Sequence, residues 1–78
     1  MAEYKDGQKV TFDGEYTMRL YASTGTAKLT VQDGNRAAED VPDASTTNAN
    51  LIKNIKLSGN YIIETTGDGA VYLNKINV

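Results

Sequence analysis

Thr26-Ala27-Lys28-Leu29-Thr30-Val31-Gln32 alternates small or apolar residues with polar ones without a break. Ala27, Leu29 and Val31 point one way and Lys28, Thr30 and Gln32 the other, which is the two-residue period of a half-buried strand. Asp33-Gly34-Asn35 follows at once and is a strong turn signal. A stretch with this period does not rest as a helix, because its apolar residues would scatter around the helical axis.

The same grammar extends in both directions. Toward the N-terminus, Glu15 to Ala22 sets Tyr16, Met18 and Leu20 against Thr17, Arg19 and Tyr21, and Ser23-Thr24-Gly25 reads as the turn that closes it. Gln8 to Phe12 is a shorter strand bracketed by Asp6-Gly7 and Asp13-Gly14, dipeptides that favour turns because glycine accepts positive φ and aspartate bonds its own backbone. Toward the C-terminus, Leu51 to Leu57 places Leu51, Ile55 and Leu57 on one face, with Lys53 interrupting it. Ser58-Gly59-Asn60 reads as a turn. Tyr61 to Thr66 reads as a strand covered on both sides, because Ile62 joins Tyr61 and Ile63. After Thr66-Gly67-Asp68-Gly69, Ala70 to Asn77 closes the chain with Val71 and Leu73 inward. Arg36 to Asn50 breaks the pattern: it is polar, carries Pro42, and reads as a long loop anchored by Val41. No internal repeat stands out.

These readings predict an all-β fold, a small antiparallel β-sandwich or jelly-roll-like barrel of about six strands. Residues 1–7 are expected to form a polar N-terminal arm and residues 8–78 a single β domain.

Composition narrows the function. The 78 residues include no cysteine and no histidine, so disulfides, thiolate metal sites and the commonest catalytic base are all missing. A chain this short buries only about 60% of the surface its unfolded form exposes. Self-association or docking onto a partner is the reinforcement left open. The formal net charge of −2 with interspersed signs carries no basic face for nucleic acid. No apolar run is long enough for a membrane span. The opening Met1–Asp6 is polar and lacks the core of a secretion signal, which leads to the expectation of a chain made inside a cell, in the cytoplasm.

Searching for chemistry gives little. Ser23, Ser45 or Ser58 with Lys28, Lys53 or Lys56 would make a Ser–Lys pair, but each serine sits where a turn wants it. Glu39, Asp40 and Asp43 are acidic neighbours without the spacing of a calcium loop, and Gly67-Asp68-Gly69 puts an acid where a phosphate cradle would be. No catalytic residue, metal site or cofactor is expected. The five tyrosines are the residues best suited to recognition, since tyrosine offers rigid amphipathic contact area at low entropic cost. Tyr21 and Tyr72 fall opposite the core face, and with Tyr4 of the arm they form the candidate interface. The competing reading is that cross-strand aromatics stabilise the sheet itself.

From Thr26 onward, the alternating strand with Asp33-Gly34, Asp40-Val41-Pro42-Asp43-Ala44-Ser45, Leu57-Ser58-Gly59-Asn60-Tyr61 and Thr66-Gly67-Asp68-Gly69-Ala70-Val71-Tyr72-Leu73 together resemble small β domains of tailed-bacteriophage virions. The chain looks like a capsid decoration (cement) protein or a head-fibre domain. That resemblance implies a structural protein on the virion head surface that binds the major capsid protein or another virion protein, often as a homo-oligomer, a trimer included. The alternatives are a small carbohydrate- or receptor-binding module, and another virion part such as a head–tail joining or tail protein.

Overall fold

A computed structural model describes residues 2–32 and 39–76, with residues 42 and 43 described in backbone only. All of its regular structure is strand: β1 (Ala2–Tyr4), β2 (Lys9–Val31), β3 (Glu39–Thr66) and β4 (Ala70–Lys75). Every pairing is antiparallel, in the order β1-β4-β2-β3. The expected turn at Asp33-Gly34-Asn35 lies outside the described residues.

β2 and β3 are too long to stay in one layer. Residues 9–22 pair with 49–62 in an unbroken register from Lys9↔Ile62 to Ala22↔Ala49. After a shift between Ala22 and Thr26, residues 26–31 lie between two stretches of β3: Thr26 faces both Thr47 and Thr66, and Val31 faces both Glu39 and Tyr61. The shift changes which residues point inward, from even numbers (Tyr16, Met18, Leu20, Ala22) to odd (Ala27, Leu29). The sheet therefore folds over one core, and its shortest extent of 19 Å fits two layers about 10 Å apart. It remains an open sandwich rather than a closed barrel.

Met18, Leu20, Leu29, Ile63 and Val71 are fully buried there, with Ala27, Leu57 and Leu73 beside them. All but Ile63, whose strand reads as covered on both faces, are placed inward by the two-residue period alone. Thr30 is not: the period points it outward, whereas it is 2% exposed and its hydroxyl donates to the Ile62 carbonyl at 3.1 Å.

Divided where the pairing breaks, the described residues form six runs, some of them bent or bulged: 2–4, 9–22, 26–31, 39–47, 49–66 and 70–75. Their boundaries differ from expectation in three places. First, neither Asp13-Gly14 nor Ser58-Gly59 reverses the chain. The two dipeptides sit opposite each other in the ladder, Asp13↔Ser58 and Gly14↔Leu57, with φ of 124° at Gly14 and 119° at Gly59. Such φ values are nearly closed to residues bearing a Cβ, so glycine is what lets both paired strands bend together. A tyrosine three residues on holds each bend. The Tyr16 hydroxyl accepts from the Asp13 N–H at 3.1 Å; that of Tyr61 accepts from the Ser58 N–H at 2.9 Å and donates to the Ser58 carbonyl at 3.2 Å. Phe12 packs between them, its ring centroid 5.0 Å from Tyr16 and 5.7 Å from Tyr61.

Second, the polar stretch read as a loop is, over Glu39–Asn50, extended sheet. Ala44 is buried, and Val41 packs against the core as the expected anchor. The stretch is polar because it borders the sheet and buries little else. Third, residues 2–7, read as an arm, are paired: β1 lies on β4, the Gly7 N–H donates to the Ile63 carbonyl at 2.8 Å, and the Thr65 N–H donates to Asp6 Oδ1 at 2.8 Å.

Candidate binding face

The two outer surfaces of the folded sheet differ in chemistry. One, over residues 26–30, 39–47 and 62–66, is charged and hydroxylic. Lys28 stands in register with Ser45 and Glu64, and its Nζ lies 3.1 Å from Asp40 and 3.7 Å from Glu64. Thr26 sits between Thr47 and Thr66, its hydroxyl 2.7 Å from that of Thr66. Groups satisfied by one another and by water have little to gain from a partner.

Lys28 is also where a Ser–Lys pair would form, opposite Ser45. A lysine acting as base needs its ammonium to lose a proton readily. The hydrogen bond and charge of Asp40, helped by Glu64, push the Lys28 pKa up instead. Of the other lysines considered, Lys53 faces inward beside Leu51 and Ile55, while Lys56 stands opposite Glu15, away from Ser23 and Ser45. Among the described residues no three Asp or Glu side chains gather as metal ligands. The side chain of Asp43 lies outside the described residues.

The other outer surface, on β1, β4, residues 17–21 of β2 and residues 50–54 of β3, has a different composition. One cross-strand row runs Glu3, Tyr72, Arg19, Ile52, set by the registers Glu3↔Tyr72, Arg19↔Tyr72 and Arg19↔Ile52. The Arg19 guanidinium lies over the Tyr72 ring, 5.8 Å from its centroid. The flanking rows are Ala70, Tyr21, Asn50 and Asn74, Thr17, Asn54. The Thr17 hydroxyl donates to Asn54 Oδ1 at 3.1 Å. Ile52 is 64% exposed and Tyr21 36%. Tyrosine and arginine at the centre with lysine and glutamate pushed to the margin is the composition of a protein-recognition surface.

Of the three tyrosines selected from the sequence, the fold brings Tyr21 and Tyr72 onto this face and sends Tyr4 elsewhere. Tyr4 is half-buried on the opposite side of β1, edge-on to Phe12 at 5.5 Å. Sequence reasoning missed Arg19 and Ile52. The signal for Arg19 was present, since it shares the alternation of Thr17 and Tyr21. Ile52 was hidden by its apolar neighbours Leu51 and Ile55. Away from this face, a shallow open depression of about 420 Å³ is lined by Lys9, Val10, Thr11, Gln32 and Asn60, and the Thr11 hydroxyl already donates to Asn60 within it at 2.7 Å.

No protein-family model, curated protein or solved structure matches this chain.

Proposed function

We propose that the chain is a non-catalytic structural module that docks on another protein through the Tyr72–Arg19–Ile52 face. The contrast between the two outer surfaces carries this reading: one is saturated with its own ion pairs and hydroxyl contacts, and the other presents aromatic, amide and exposed aliphatic groups around a single arginine. The sequence resemblance gives the reading its specific form, a capsid decoration protein seated on the head of a tailed bacteriophage, with the major capsid protein as partner. The four-stranded face spans roughly 19 Å across its strands and roughly 20 Å along the six-residue β4, less at the three-residue β1, which falls short of the about 800 Å² per partner of a standard interface. A module of this kind holds by many copies repeated over a lattice rather than by one tight contact.

Co-sedimentation with assembled phage heads from the same source tests the reading. Wild type is expected to pellet with the heads, and Arg19→Ala and Tyr72→Ala to stay in the supernatant at the same concentration. Heads that leave all three proteins in solution would remove the decoration role.

A second reading rests on Asn50, Asn54, Asn74 and Thr17, which surround the two tyrosines with amide and hydroxyl groups. Such a surface suits a sugar, whose ring stacks on an aromatic while its hydroxyls take amide hydrogen bonds. Binding to a glycan panel that is lost in Tyr72→Ala would favour it.

A further inference from the structure

β3 is the last strand of the sheet. Residues 49–55 pair with β2 on one side, and among the described residues no strand lies on the other. A bare strand edge offers a row of N–H and C=O groups to any extended segment. The opposite border, β1, is only three residues long.

Apolar residues at the β3 edge are incompletely covered on both sides. Leu51 and Ile55 point inward and pack on the core yet are only half-buried, whereas Met18 and Leu20, one strand further in, are fully buried. Ile52 points outward at 64% exposure. One more strand would cover all three.

The sequence of the edge indicates which strand. Asn50-Leu51-Ile52-Lys53-Asn54 has an amide two residues to either side of Ile52. Laid antiparallel on itself about Ile52, it sets Ile52 against Ile52, Asn50 against Asn54, and Leu51 against Lys53. Other self-pairings are worse. Centring on Lys53 opposes two like charges, which destabilises a sheet. Centring on Asn54 puts Ile52 against Lys56. Centring on Leu51 puts Ala49 against Lys53 and runs into Asn48, whose φ of 54° turns the strand away.

We infer that a second copy of this chain covers the β3 edge, antiparallel and in register, with Ile52 on the two-fold axis. The pairing joins the two outer layers into one continuous eight-stranded surface and sets two Tyr72–Arg19 faces side by side. It thereby doubles the area available for docking. Edge pairing over so few residues buries less than the about 1,200 Å² of a stable complex, so the association is weak and concentration-dependent.

The chain contains no cysteine, so a single introduced thiol reports on its own position. Opposed residues of an antiparallel pair have Cα atoms about 4.5 to 5.5 Å apart, within disulfide range. Ile52→Cys is expected to form a disulfide-linked dimer under mild oxidation at least ~10-fold faster than Asn74→Cys, an exposed site on the same face away from the edge. In sedimentation velocity, wild type is expected to shift from monomer to dimer as its concentration rises, and Ile52→Lys to stay monomeric with an unchanged melting temperature. Equal cross-linking rates for the two thiols, a wild type that stays monomeric up to millimolar concentration, or an Ile52→Lys variant that still dimerises would each overturn the inference. Tyr72→Ala separates this from the docking proposal, because it is expected to lose head binding while dimerising as wild type does.

Discussion

The Asp68 carboxylate lies 3.0 Å from the amide nitrogen of Gly25, across 43 residues of sequence. The same carboxylate accepts from the N–H groups of Ser23 at 3.1 Å and Thr24 at 3.0 Å. One side chain from the β3–β4 turn therefore satisfies the three backbone donors exposed where β2 changes layers. The contact is close because both chains carry glycine there. A Cβ on Gly25 would stand 1.8 Å from the Thr66 carbonyl oxygen, and one on Gly69 would stand 1.9 Å from that of Thr26.

Gly25→Ala and Gly69→Ala are accordingly expected to force the two backbones apart, destabilising the domain by about 3 kcal/mol or more. The obstructing atoms are backbone, so no rotamer change relieves them. Urea denaturation followed by circular dichroism measures the loss. A variant that unfolds at the wild-type midpoint would show the approach to be looser than described.

Asp68 also gives the fold an acid limit. The Thr24 N–H bond, then that of Gly25, with a smaller share from Ser23, holds the Asp68 carboxyl below its ordinary pKa. The folded state thus binds this proton less readily than the unfolded chain. Its stabilising contribution is complete above the ordinary carboxylate pKa and is lost as pH falls through the lowered value. Asp68→Asn is expected to lower the melting temperature at pH 7, with a gap from wild type that narrows on acidification. Parallel melting series from pH 7 to pH 2 check this, and a constant gap would contradict it.

At the paired bends, Tyr61→Phe and Tyr16→Phe keep the rings packed on Phe12 and remove only the hydroxyls. Each is expected to cost about 1 kcal/mol, with Tyr61 the larger because its hydroxyl both accepts from and donates to Ser58. Chemical denaturation of the two variants gives the order; equal losses would contradict it, and zero losses would mean the bends stand without their clamps.

Because β1 is part of the sheet and Tyr4 packs on Phe12, Tyr4→Ala is expected to destabilise the domain by about 2 kcal/mol. A freely solvated arm would show no change in the denaturation midpoint.

The two-residue period made most of the core legible. Tyr16, Met18, Leu20, Ala27, Leu29, Leu57, Val71 and Leu73 are all buried where alternation placed them. Reversals were harder to read, because Asp-Gly and Ser-Gly serve a hairpin turn and a bent strand equally well. What separates Asp13-Gly14-Glu15-Tyr16 and Ser58-Gly59-Asn60-Tyr61 from hairpin turns is the tyrosine three residues after Asp13 and Ser58. The apolar positions around it recur too, Val10, Phe12 and Met18 against Ile55, Leu57 and Ile63. No repeat stands out in the linear sequence because the match is short and made of turn and alternating strand residues that many β segments share. Glu39–Asn50 was misread for a different reason: an edge segment buries little, and a polar strand then resembles a loop. For the binding face, alternation was enough to turn Tyr21 and Tyr72 outward. Grouping them with Arg19 and Ile52 needed the strand register, which links residues more than thirty positions apart.

Hydrogen exchange of the chain bound to phage heads addresses the central claim directly, since it reports which outer surface becomes covered. The account predicts slowed exchange in residues 17–21 and 70–74, with residues 26–30 and 62–66 exchanging as in the free protein. Protection on the Lys28–Glu64 surface, with the Arg19–Tyr72 row left as open as before, would contradict it.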